Sequence, residues 1–151
     1  MDRVHNKTPH ITVACLVEQD GRFLFVREHT RTGIAINQPA GHLEANETLQ
    51  QAALRETLEE TGWHIELTAL TGIYLYQAPN GVTYQRLCFA ARPLHQQADA
   101  VLDEEIIEPL WLTPDALQAR QSEWRSPLVM RCLQDYLAGS RYPLELLKGI
   151  F

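Results

Sequence analysis

The chain opens with two β-branched and aromatic runs, His10 to Val17 and Arg22 to Val26, flanking Asp20-Gly21, a pair suited to a tight hairpin turn. Ile34 to Gln38 reads as a short extended piece that ends at Pro39. The pattern then changes period. Asn46 suits a helix N-cap, Leu49 to Glu56 are mostly strong helix formers, and Gly62 stands where helices often stop. Leu70 to Gln77 and Val82 to Arg92 read as two more strands around Pro79-Asn80-Gly81, and Ile106 to Leu112 as another. Pro114 to Ala119 and Pro127 to Ala138 close the chain as helices, the first with Thr113 as N-cap before a proline at the first helical position. Strands, a helix, then strands and helices again predict a mixed sheet covered on both faces, in an α/β or α+β layered domain.

The helix over the middle of the chain carries its charges at the wrong end. Glu56, Glu59 and Glu60 sit close to its C-terminus, where each anion opposes the helix dipole by ~0.3–1 kcal/mol. At roughly 100° per residue the three fall within one arc, so their oxygens can converge. Arg55, four residues before Glu59, offsets only part of the repulsion. A solvated acidic face is one reading. A hard divalent cation, which turns repulsion into coordination, is the other. Leu49, Ala52 and Ala53 share the arc one or two turns earlier, so the stripe begins apolar and turns acidic, as at packing that opens into a cleft.

Length and charge narrow the setting. At 151 residues the chain suits a single domain, 1–151, and has no room for a second. A net charge of −6 argues against nucleic-acid backbone or anionic membrane as partners. The acidic excess is concentrated in the helix and in Asp103-Glu104-Glu105. Cys15, Cys88 and Cys132 are odd in number and far apart, which suits reduced core thiols better than a disulfide framework or a zinc site. Met1 to His10 is polar and unlike a signal peptide, and no apolar run approaches membrane-spanning length, so the expected location is the cytoplasm.

Gly41, Glu47, Arg55, Glu56, Glu59, Glu60, Gly62 and Trp63 together resemble the signature of the Nudix hydrolase superfamily, in register throughout. Thr57 departs from it, standing where the family usually has an aliphatic residue; a buried threonine can bond a carbonyl one turn back. The resemblance implies an α/β/α sandwich and metal-assisted hydrolysis of a nucleoside diphosphate linked to another group. It implies Mg²⁺, with Mn²⁺ as the alternative, held by Glu56, Glu59, Glu60 and the Gly41 carbonyl. Glu47 and Arg55 become a brace between loop and helix. Family sequences tend to carry an acidic residue six positions before a tryptophan such as Trp111, which makes Glu105 a candidate base beside Glu59, with Glu104 behind it.

Asn37-Gln-Pro-Ala-Gly-His-Leu-Glu, with Arg125-Ser-Pro-Leu-Val and Arg141-Tyr-Pro-Leu-Glu, is similar to the NudJ-like phosphatase subgroup. That likeness implies release of orthophosphate from nucleoside tri- and diphosphates or from hydroxymethylpyrimidine pyrophosphate. Gln38, Tyr76, Tyr84, Arg86 and Arg125 are the candidate substrate contacts, Tyr76 for stacking on a base and Arg86 for clamping a phosphate. His42 reads more simply as a surface side chain. The alternatives are cleavage of a larger nucleoside diphosphate derivative, such as ADP-ribose or a dinucleoside polyphosphate, and a non-catalytic nucleotide-binding module. The expected partner is a small nucleotide or pyrophosphate, and the expected state a monomer or homodimer.

Overall fold

A computed structural model describes residues 8–151. The reading of the N-terminal stretch as unlike a signal peptide falls largely on residues 1–7, outside the described residues. Among the described residues are seven strands and three α-helices, in the order β1 (His10–Gln19), β2 (Arg22–Thr30), β3 (Gly33–Asn37), β4 (Ala40–His42), α1 (Leu49–Thr61), β5 (Trp63–Gln77), β6 (Thr83–Gln96), β7 (Ile106–Leu112), α2 (Pro114–Gln118) and α3 (Leu128–Leu137). The architecture is the α/β/α sandwich with a mixed sheet.

β1 organises the sheet. Val13 to Val17 are buried without interruption, because each side chain alternates into one of two cores. Val13, Cys15 and Val17 pack with Ala52 and Ala53 of α1, whereas Ala14 and Leu16 pack with Val129, Cys132 and Leu133 of α3. Such burial contributes roughly 1.5–3 kcal/mol for each large aliphatic side chain. Along one edge β1 runs parallel to β6, which pairs in turn with β5. Along the other it pairs with β4 at Thr12 to Ala14 and with β2 at Glu18 and Gln19. β2 then carries β3 and β7. Asp20 and Gly21, at φ 53° and 77°, make the turn between β1 and β2.

Several boundaries differ from the sequence expectation, among them the end of β2 at Thr30 and of β6 at Gln96, and three differences have a local reason. The N-cap of α1 is Thr48 and not Asn46: Thr48 Oγ1 accepts from the Gln51 N–H at 3.0 Å, and Gln51 returns the bond to the Thr48 N–H at 2.8 Å. Asn46 instead takes a left-handed φ of 64° in the turn before it. β5 starts at Trp63, seven residues earlier than expected, because three register shifts against β6 break the alternation that would have revealed it. β4 is only three residues long, Ala-Gly-His, and has no pattern of its own. The far end of α1 follows expectation: Gly62, at φ 76°, donates its N–H to Leu58 O at 2.9 Å.

Candidate metal centre and active site

The second half of α1 faces the short strand β4. Glu60 is 5% exposed, and one of its carboxylate oxygens accepts the Ala40 N–H at 3.0 Å. Glu56, one turn earlier, lies against Gly41, where a Cβ would collide with its carboxylate. Only glycine permits that approach. Thr57 Oγ1, between the two, donates to Ala53 O at 2.9 Å, so the position that departs from the aliphatic pattern is satisfied inside the helix.

A third carboxylate reaches the same place from a distant loop. The Glu59 carbonyl is among those left unsatisfied at the end of α1, and the Asp103 N–H donates to it at 3.0 Å. That bond brings the Asp103 side chain to Glu56 and Glu60, and ligand oxygens of the three lie within 4.8 Å of one another. Glu28 of β2, 5% exposed, stands close behind, with one oxygen accepting from Arg125 Nη1 at 2.6 Å.

Burial and crowding raise the acids together. Glu60 is pushed up to about 9, by burial first and then by Glu28, Glu56 and Asp103, against the pull of the Ala40 N–H. Glu56 is raised to about 7 by burial, with Glu59 and Asp103 adding to it and Arg55 opposing. Asp103 and Glu28 are also raised, each chiefly by burial and partly by the charge of Glu105. Deprotonated carboxylates this close and this short of counter-charge are a set of hard oxygen donors that fits a divalent cation.

Arg55 organises the neighbouring acids. Its guanidinium donates to both Glu47 oxygens at 2.7 and 3.0 Å, to Glu56 at 3.2 Å, to Glu59 at 3.1 Å and to the His42 carbonyl at 3.1 Å. Glu47 also caps the Glu44 N–H at 2.8 Å, which ties the loop before α1 to the helix. These bonds hold Glu47 below the usual carboxylate range.

The structure therefore brings together Glu56, Glu60 and Asp103, where the helical arc had suggested Glu56, Glu59 and Glu60. Glu59 has a side chain 43% exposed and turned to Arg55. Glu105 is exposed on the same acidic loop, its carbonyl accepting the His29 N–H at 2.8 Å. Asp103 was overlooked within a triplet that had already been singled out; the bond that positions it leaves no trace in sequence. Glu28 had no signal at all.

Among the candidate substrate contacts, Gln38 and Arg86 do not form an open clamp. Gln38 is fully buried and donates to Val129 O at 2.7 Å, while its oxygen accepts from Arg86 Nη1 at 3.0 Å. Arg86 is 6% exposed and also donates to Asn37 Oδ1 at 3.2 Å, leaving its Nε without a partner. Together they join the β3–β4 segment to β6 and α3. Arg125 is partly exposed on Glu28, and Tyr76 and Tyr84 are half-buried on the sheet. Cys15, Cys88 and Cys132 are buried and free. No helix among the described residues is long and apolar enough to cross a membrane.

Residues 8–132 match the NUDIX domain family. The chain is 38% identical over 139 residues to phosphatase NudJ of Escherichia coli strain K12, covering 92% of this chain and 90% of that protein. Phosphatase NudJ of Shigella boydii serotype 4 matches with the same identity and coverage. A NUDIX hydrolase from Nitrosomonas europaea superposes with a TM-score of 0.93 at 45% identity, covering 95% of this chain and 98% of that one.

Proposed function

This chain belongs to the Nudix family and is a hydrolase of phosphoanhydride bonds, and on that premise we propose that it releases orthophosphate from nucleoside tri- or diphosphates. A related pyrophosphate, such as hydroxymethylpyrimidine pyrophosphate, belongs to the same proposed class. The observation that carries the reading is the trio Glu56, Glu60 and Asp103, all three raised by burial, with Arg55 on Glu56 the one cationic hydrogen-bond partner among the described residues. The 38% identity to phosphatase NudJ over most of both chains supports the choice of product.

Glu56, Glu60 and Asp103 would hold Mg²⁺, or Mn²⁺ in its place, with Glu59 and the Gly41 carbonyl as further ligands. When bound, the cation neutralises phosphate oxygens and makes the attacking water more acidic. The protein's own part is positioning and proton transfer. Gly41 admits Glu56 by having no side chain in its way. Arg55 and Glu47 fix the loop and helix against each other, so the acids do not move apart when the substrate's charge arrives. Glu105 and Glu59, both reachable from solvent, are the two proposed acceptors for the water's proton, with Glu104 behind Glu105. Arg125 stands at the edge of the acid group, where a phosphate oxygen could take up the donors that Glu28 leaves free.

The test is purified protein with Mg²⁺ and a panel of nucleoside tri- and diphosphates, hydroxymethylpyrimidine pyrophosphate, ADP-ribose and dinucleoside polyphosphates, scored separately for orthophosphate and pyrophosphate. Orthophosphate from the nucleotides or the pyrimidine pyrophosphate is expected. Two mononucleotide fragments from the larger derivatives would replace this reading with the alternative cleavage, and binding without any turnover would leave a nucleotide-binding module.

A further inference from the structure

Two arginines bond carboxylates in and beside the acid centre, and they use their donors differently. Arg55 is closed: all three of its guanidinium nitrogens bond carboxylates or the His42 carbonyl. Arg125 is open. Its Nη1 donates to Glu28 Oε2 at 2.6 Å, while Nε and Nη2 have no partner among the described residues, and its side chain is 47% exposed.

The register places Arg125 on the same face of the sheet as the acids. Trp124 bridges Ile36 of β3 in parallel, and both belong to the core under α3. Successive side chains of an extended segment alternate between faces, and Trp124 is extended, with φ −62° and ψ 135°. Arg125 therefore turns to the α1 side, where the bond to Glu28 finds it. Glu28 is four residues along β2 from Leu24, which packs with Ala52 and Ala53 of α1. The Glu28 charge acts in turn on Glu60, so one carboxylate separates Arg125 from the trio.

The guanidinium is held at both ends. The Arg125 N–H donates to Ile36 O at 2.8 Å, which fixes the backbone, and Glu28, buried and also bonded by the Asn37 side chain, fixes Nη1. What remains is the Nε–Nη2 edge, whose two N–H groups point the same way and match two oxygens of one phosphate. An unesterified terminal phosphate carries three non-bridging oxygens and close to two negative charges. A phosphate esterified within an anhydride has two such oxygens and one charge. Only the unesterified phosphate can give two oxygens to the fork and still turn a third to the acid centre. Its extra charge also needs a fixed cation most, because Glu28 and Glu105 lie on this side of the site.

We propose that Arg125 is a specificity-determining residue whose Nε–Nη2 edge grips two oxygens of an unesterified terminal phosphate, a step that rests on the hydrolysis reading above. Nucleoside tri- and diphosphates and other free-ended pyrophosphates are thereby favoured over anhydrides esterified at both ends. Glu28 and the bond to β3 serve to aim the fork.

Calorimetry on the full chain with Mg²⁺ tests this with two ligands that have no cleavable anhydride: the α,β-methylene analogue of ADP, and the same compound methylated on its terminal phosphate. Arg125→Ala should weaken the free-ended analogue by ~10-fold or more and the methylated one by no more than ~2-fold. Arg125→Lys keeps a cation against Glu28 but has no fork, so it should retain the wild-type circular dichroism and still lose ~3-fold or more for the free-ended analogue alone. If Arg125→Ala fails to fold, the same comparison in Arg125→Lys decides. Equal weakening of the two analogues, no weakening of either, or no binding of the free-ended analogue to the wild type would overturn the assignment. Binding needs no turnover. The selective loss in a protein that hydrolyses nothing in the panel would refute the proposed reaction alone, and orthophosphate release with both affinities unaltered in Arg125→Ala would refute the Arg125 role alone.

Discussion

Carboxylates lie on two sides of Arg55, one in the loop before α1 and two on the helix, and the fold perturbs them in opposite directions. Glu47, on the Arg55 side, is held below its ordinary value by a paired guanidinium, while Glu56 and Glu60, on the β4 side, are driven up to about 7 and about 9 by burial. The residue type is the same on both sides. The difference is counter-charge: Arg55 makes four hydrogen bonds on its own side and reaches the other only through one Glu56 oxygen. One group is complete as it stands and acts as scaffold. The other is left short of positive charge, which is the electrostatic form of a cation site.

The largest effect should come from removing charge on the incomplete side. Glu56→Gln is expected to lower kcat/KM by ~10³-fold at saturating Mg²⁺ while the far-ultraviolet circular dichroism stays that of the wild type. A rate within a few-fold of the wild type would mean that the buried acids are not where the chemistry happens. Disrupting the complete side should be milder for activity and worse for the fold. Arg55→Ala is expected to cost ~10–100-fold in rate through misplacement of the acids, and ~1–3 kcal/mol in denaturant stability, because Glu47 then loses its charged partner. If it abolished turnover at no cost in stability, Arg55 would belong to the reaction itself.

The contrast also predicts how pH acts on the metal-free protein. Glu56 and Glu60 bind protons more tightly folded than unfolded, so their contribution to stability is full below the ordinary carboxylate value of 4.5 and is lost as pH rises through about 7 and about 9. Scanning calorimetry without metal should therefore show Tm falling by several degrees from about pH 5 to about pH 9, and Mg²⁺ should restore most of the loss at the upper end. A Tm that rises over this range would reverse the sign of the argument. The smallest effect concerns the opposite end of the helix, where the capping box carries no reactive group. Thr48→Ala should cost ~1 kcal/mol, with kcat/KM little altered, while Asn46→Gly should be close to neutral in the same unfolding assay.

What could be read from the sequence was what short-range rules determine. The turn at Asp20-Gly21, the stop at Gly62, the cap at Thr113 and the strand from Ile106 to Leu112 all depend on a few adjacent residues, and all appear where the pattern put them. The two-layer cover followed from the order of strands and helices, and in the structure β1 realises it with five successive buried residues. Bulges hid the first half of β5, and Asn46 lost the N-cap to a threonine whose partner three residues on is glutamine. Within the site, the helix alone revealed Glu56 and Glu60 but placed Glu59 with them. Glu59 bonds Arg55, and a single backbone bond from the loop brings Asp103 to Glu56 and Glu60. Long-range closure of this kind has no period to detect.

The central claim is that Glu56, Glu60 and Asp103 form the divalent-cation centre of the hydrolase. Mn²⁺ binding followed by electron paramagnetic resonance, in the wild type and in Glu60→Gln, tests it most directly. The wild type should bind Mn²⁺, Mg²⁺ should compete for the same site, and Glu60→Gln should weaken binding by at least ~10-fold with its fold intact. Equal Mn²⁺ affinity in the two proteins would contradict the claim.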